Sequence, residues 1–273
     1  MKRWVYTVLI IVLSAIFLVS SYFVADYVLQ SLRQKSTFRE LSQIKESAAT
    51  HTLTEKTDPA EDISQPTEPL LVEVTDPETG EIIRMLPEFA ELYLRNNDIV
   101  GWISIDGTAV NYPVMQNSAY TDYYLYLDFD EVYSRHGCIY VREKCDVFTP
   151  SDNVVIYGHR MGDGTMFNAL LDYTDKAFYD AHPIISFDTL LERHTYEIVA
   201  IFATDVYADS FAYHTFVDAE NKEQFDDFME NCLSRAYYDT GVRATYGDKL
   251  ITLSTCEYTH ANGRLVVVAK QIS

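Results

Sequence analysis

The sequence predicts a mainly β domain, a barrel or sandwich of eight short strands, carried behind an N-terminal membrane anchor. Three observations point there. Short apolar runs alternate with turn residues from about Trp102 to the C-terminus, the pattern of an all-β architecture. The 21 tyrosines, 14 phenylalanines and 48% hydrophobic content suit a packed, β-rich body rather than a disordered one. Finally, Trp4 to Ala25 is an almost unbroken apolar run that carries no charge.

Taking the elements in order, Lys2 and Arg3 precede that run and Asp26 ends it. About 22 residues suffice to cross a hydrocarbon core as a helix. The run exceeds the core of a cleavable signal peptide, and no small-x-small cleavage site follows it. Cations ahead of the span favour a cytoplasmic N-terminus and an extracellular body, although Arg33 and Lys35 soften the asymmetry. Helical residues continue from Asp26 to about Gln43. The stretch from Glu46 to about Thr79 is rich in Thr, Glu, Asp, Ser and Pro and reads as a spacer. The expected division is an anchor over 1–28, a stalk and disordered linker over 29–81, and a folded domain over 82–273.

Pro87 suits the first turn of a helix bearing Phe89, Leu92, Tyr93 and Leu94. Strands are expected at Trp102–Ile105, Ala109–Met115, Cys138–Val141, Asn153–Tyr157, Ile184–Phe187, Tyr196–Ala203, Leu250–Ser254 and Leu265–Gln271. Two helices interrupt them, Gly164–Tyr173 and Asn221–Ala236. The second sets Phe225, Phe228, Met229, Cys232 and Leu233 on one core-facing side.

A net charge of −20 argues against a nucleic-acid partner, which requires a basic surface. Four cysteines without paired spacing suggest neither a zinc site nor a disulfide framework. At most one disulfide can form among Cys138, Cys145 and Cys232 if a fourth thiol stays free, and none is expected. No carboxylate cluster reads as a cation loop, so neither metal nor cofactor is expected.

Chemistry is expected where Leu250–Thr255 ends in Cys256, with Arg264 opening the next apolar run. A thiol becomes a strong nucleophile where cationic groups favour its thiolate. Arg264 supplies charge, and a histidine would supply charge and a proton. His159 stands out because Val154–Gly158 is an apolar strand running straight into a loop with Gly162 and Gly164. His260 lies inside the Cys–Arg loop and is its rival. His51, His182, His194 and His214 read as structural or solvated. A second cysteine also needs weighing. Ser134-Arg135-His136-Gly137-Cys138 resembles the S-H-G-C signature of L,D-transpeptidases, but Tyr140 occupies the place of the expected arginine and Arg135 is inserted. Cys138 is therefore expected in a strand core.

Tyr157-Gly158-His159, Thr252-Leu253-Ser254-Thr255-Cys256 and Arg264, in that order, resemble the sortase family. Asp98–Trp102, Asn111–Val114, Tyr124–Asp128, Thr165–Phe167, the helix ahead of the last two strands, and Ser254 and Glu257 beside the thiol resemble class B sortases. The likeness covers roughly the segment from Asn97 onward. Cys256 and Arg264 stand eight positions apart, a short loop for the class. The resemblance implies an eight-stranded closed barrel with N-terminal helices. It implies a transpeptidase in which Cys256, His159 and Arg264 are catalytic. Cys256 would cleave the sorting-signal pentapeptide of a secreted protein through a thioacyl intermediate and pass it to a peptidoglycan precursor amine. Ser254, Thr255, Glu257, Asn111 and Met115 would contact substrate. Three other readings stay open at this point: an envelope cysteine peptidase that hydrolyses the same intermediate, an L,D-transpeptidase-like enzyme using Cys138, and an anchored binding module without catalysis.

Overall fold

The computed structural model describes residues 3–55, 70–205, 211–257 and 263–273. Helix α1 (Arg3–Glu55) runs without a break out of the apolar N-terminal run. Its second half is not a free stalk. Ser31, Gln34, Phe38 and Leu41 are buried, and their spacing of three and four places them on one helix face. Phe38 meets the Tyr112 ring edge-on at 4.9 Å. Lys45 donates to Asp188 at 3.0 Å and lies over the Trp102 ring. The stripe escapes a periodicity reading because two of its four members are polar, satisfied only by partners far away in sequence.

The folded body also begins ahead of Ile82. Strand β1 (Val72–Thr75) pairs antiparallel with β2 (Ile82–Met85), Thr75 opposite Ile82. The turn between them closes on Asp76, whose carboxylate accepts from the Glu78 and Thr79 amides and from the Tyr93 hydroxyl. Helix α2 (Pro87–Arg95) opens on proline as expected and buries Phe89, Leu92 and Tyr93. We expect Leu41→Ala to lower stability by about 2–4 kcal/mol, read by denaturant unfolding of the full chain. A mere tether would show no loss.

All eight expected strands form. They are β3 (Ile99–Ser104), β4 (Asn111–Met115), β5 (Ile139–Val141), β6 (Asn153–Tyr157), β7 (Ile184–Thr189), β8 (Arg193–Asp205), β9 (Leu250–Glu257) and β10 (Gly263–Gln271). They close into one barrel in the order β10-β8-β7-β3-β4-β5-β6-β9. Only β4–β5 and β6–β9 pair in parallel. Strand β10 is apolar on both faces because both are covered. Leu265, Val267 and Ala269 fill the barrel, while Val266 and Val268 lie under α4 (Lys222–Arg235) with Phe225, Phe228 and Cys232. Asn221 caps α4 by accepting from the Gln224 amide at 3.0 Å. The helix expected over 164–173 is instead a 3₁₀ segment, Phe167–Thr174, followed by the short α3 (Lys176–Ala181). Met166, at φ 58°, cannot continue a right-handed helix and delays its start.

Candidate active site

The register of the last two strands sets Cys256 directly opposite Arg264. Cross-strand partners project to the same face, so thiol and guanidinium share one side of the sheet. On the other flank of β9, β6 runs parallel with Tyr157 beside Ser254, and the Gly158 amide donates to the Ser254 carbonyl at 3.1 Å. His159 follows at the strand end. These three side chains line one cavity of about 230 Å³, together with Ser254 and Thr255.

Gly158 is fixed by packing rather than by an unusual backbone angle. A Cβ there would lie 2.5 Å from Ile139 and 2.6 Å from the Phe167 ring. The His159 Nε2–H donates to the Leu125 carbonyl at 2.7 Å. A carbonyl only accepts, so Nε2 carries the proton and Nδ1 is the nitrogen free to exchange one. The His159 ring also meets the Tyr126 ring at 5.4 Å between centroids. Burial pushes the His159 pKa below its ordinary value. His136 and Arg264 add to that, against the pull of the Leu125 carbonyl.

Cys256 is half-buried, whereas Cys138, Cys145 and Cys232 are buried. Burial raises the Cys138 thiol well above its ordinary pKa, with Asp128 and Asp130 adding to it, and pushes Cys145 to about 11. Cys138 therefore has neither access nor thiolate character. The S-R-H-G-C stretch does structural work: the Ser134 hydroxyl donates to Gln34 of α1 at 3.1 Å, and His136 Nε2 lies 3.2 Å from Asp163.

Of the expected substrate contacts, Ser254 is buried with its hydroxyl 2.7 Å from that of Tyr213. Thr255 is buried opposite Leu265 of the barrel interior, its hydroxyl without a hydrogen-bond partner. Glu257 ends β9 with its backbone opposite Gly263. Asn111 and Met115 do not reach the cavity. Asn111 accepts from the Trp102 indole at 2.6 Å and donates to Ser42 of α1, and Met115 is buried in the core. His260 lies outside the described residues.

The structure adds wall residues not expected from sequence. Tyr213 and His214 enter on a 3₁₀ turn, Tyr213–Thr215. The His214 carbonyl accepts from the Arg142 guanidinium, and burial, Arg142 and Arg264 depress its imidazole pKa. Opposite them, Tyr140 donates to Asp122 at 2.8 Å. A thiol, an imidazole and a guanidinium converging on one partly enclosed cavity can carry out acyl transfer.

A family model for the sortase domain matches residues 103–272. The chain is 36% identical to sortase B of Staphylococcus aureus over 188 residues, 68% of this chain and 75% of that relative. It is 33% identical to sortase B of Listeria monocytogenes over 192 residues, 68% and 74% of the two chains. The solved Staphylococcus aureus sortase B–substrate complex superposes with a TM-score of 0.71 at 29% identity, covering 90% of this chain and 99% of that one. A closed barrel of this topology, matched by relatives along most of their own length, places the chain in the sortase family, in its class B branch: it is a cysteine transpeptidase of the cell wall.

Proposed function

We propose that Cys256, His159 and Arg264 carry the reaction, and that residues 1–28 anchor the chain in the cell membrane with its N-terminus cytoplasmic and the body outside. The observation that supports the catalytic set is the pairing of Cys256 with Arg264 across β9 and β10, with His159 just past the end of the adjoining β6 and lining the same cavity. An 18-residue window of α1 has a mean hydropathy of 2.6 and none of it is buried against the body. That supports the anchor.

The bound segment is the sorting signal of a secreted protein. As Sγ of Cys256 attacks the scissile carbonyl, its proton passes to Nδ1 of His159. The carbonyl oxygen gains charge that Arg264, a permanent cation, neutralises together with backbone N–H groups of Thr255 or Glu257. The C–N bond then breaks, His159 returns the proton to the leaving amine, and a thioester remains on Cys256. An amine of a peptidoglycan precursor attacks that thioester and gives its proton to His159; the C–S bond breaks, and His159 returns the proton to Sγ to restore the thiol. Ser254, held by Tyr213, faces the substrate from the same strand as the nucleophile. This cycle calls for no cofactor.

Incubating the enzyme with a library of sorting-type peptides and several amines, with product masses measured, tests this reading. A new amide to the offered amine supports it, whereas hydrolysed acid alone, whatever amine is present, returns the function to a peptidase. Gly158→Ala offers a separate check. It removes no reacting atom, yet the added methyl forces the strand end away from Phe167, so peptide turnover is expected to fall at least about tenfold. Unchanged turnover would mean that the His159 position is not fixed by this packing.

A further inference from the structure

Helix α1 meets the body in a fixed order along its axis. Starting just past the apolar run, Arg135 reaches Asp26 at 3.7 Å. Ser31 donates to Asp163 at 2.5 Å, and Gln34 donates to the Gly137 carbonyl at 3.3 Å. Farther on, Ser42 accepts from Asn111 and Lys45 donates to Asp188. At about 1.5 Å per residue these contacts span nearly 30 Å. The end nearest the apolar run is the end that carries the His159 loop, since Asp163 stands on that loop and Ser31 lies only ~8 Å beyond Asp26.

Apolar surface lies exposed at this same end. On α1, Val28, Leu29 and Leu32 remain exposed beyond Ala25. On the body, a hairpin closed by the Leu127–Tyr133 bridge leaves Tyr126, Val132 and Tyr133 at 50%, 41% and 62% exposure. The Tyr126 and Tyr133 rings stack with each other at 6.4 Å. Arg135, two positions past Tyr133, is the residue that reaches down to Asp26. The cations Arg33, Lys35 and Arg135 at this level each stand beside a carboxylate, Asp128 at 4.0 Å, Asp163 at 3.4 Å and Asp26 at 3.7 Å, so they lower the charge that the acidic residues here would otherwise present. Amphipathic tyrosines beside exposed aliphatic side chains suit the headgroup layer, where rings find apolar surroundings and hydroxyls stay wet.

We propose that the hairpin Tyr126–Arg135 and the exposed Val28–Leu32 side of α1 rest in the headgroup layer of the bilayer that α1 spans, seating the catalytic cavity at the membrane surface. The proposal builds on the anchor reading above. It joins that surface to the chemistry, because Tyr126 touches the His159 ring and the neighbouring Leu125 carbonyl holds His159 Nε2. The membrane contact and one wall of the site are thus the same piece of chain.

The test uses the full chain in phosphatidylglycerol-containing nanodiscs, with a photoreactive benzoylphenylalanine placed by Tyr133→benzoylphenylalanine or, in a second variant, at Val132. The control is the same replacement at Tyr246, which is 47% exposed but lies just before Leu250, at the opposite end of β9 from Cys256. Irradiation is expected to give lipid adducts at 132 and 133 at least fivefold above those at 246, measured by intact mass. Equal labelling at all three positions, or protein–protein adducts without lipid at 133, overturns the proposal; the latter would mean a second copy covers the patch. Absence of lipid adducts in a chain that still resists carbonate extraction from vesicles overturns the surface while sparing the anchor. A chain that carbonate extracts brings down the anchor reading, and the proposal with it.

Discussion

Cys256→Ala is expected to abolish both peptide cleavage and amine transfer, a loss of about 10³-fold or more, while Cys138→Ala, Cys145→Ala and Cys232→Ala are expected to keep turnover within about twofold of the parent. The contrast follows from access and charge. Only Cys256 is less than fully buried, and it alone stands opposite an arginine. The other three thiols sit in apolar surroundings that disfavour their thiolates. Their replacement leaves small cavities and lowers stability instead. Intact-mass detection of a peptide thioester on the parent, absent from Cys256→Ala, checks the assignment directly. Activity that survives in Cys256→Ala and vanishes in Cys138→Ala would restore the L,D-transpeptidase-like alternative.

His159→Ala is expected to lose about 10²–10⁴-fold in turnover, the range for a general acid–base group, and His260→Ala to lose little. The pH dependence carries a definite sign. His159 is held below the ordinary imidazole value of 6.5, first by burial and then by His136 and Arg264. The neutral ring that accepts the thiol proton therefore persists below pH 6.5, and the acid limb of the turnover profile falls below that value. NMR titration of His159 in Cys256→Ala, where the thiol no longer couples to it, is expected to show a midpoint below 6.5. A midpoint at or above 6.5 would remove the desolvation account. The same shift acts on stability. The unfolded chain binds a proton that the folded imidazole resists, so this contribution is fully present above pH 6.5 and is lost as pH falls through the folded pKa.

Arg264→Lys separates charge from shape. A lysine keeps the cation but not the planar fork, and we expect about 10²-fold loss if oriented hydrogen bonds to the oxyanion carry the effect. Full retention in a kcat measurement would reduce the role of Arg264 to simple charge.

The strands were readable in the sequence because alternation has a short period and needs no knowledge of distant partners. Asn153–Tyr157 matched residue for residue, and the proposed trio of His159, Cys256 and Arg264 lies at or just past strand ends that local pattern exposes. What stayed hidden depends on pairings far apart in the chain. Tyr213 and His214 reach the cavity only because a 3₁₀ turn is carried to Ser254, and nothing local marks them. The docked half of α1 uses Ser31 and Gln34, whose burial makes sense only once Asp163 and Gly137 are beside them. Asn111 and Met115, which likeness to the class sets at the substrate, bond the Trp102 indole and pack in the core, contacts that no local pattern announces.

The parallel pairing of β6 with β9 also bears on when the enzyme becomes reactive. His159 and Cys256 come from segments about a hundred residues apart, and contacts of such separation form late because loop closure must be offset before they contribute. Arg264 joins only when β10 zips onto both β8 and β9. Before that closure, Cys256 has neither His159 beside it nor Arg264 held opposite it by the β9–β10 register. If the proposed set carries the reaction, its geometry is complete only when the barrel closes, and reactivity toward peptide bonds is expected to arrive with completed folding.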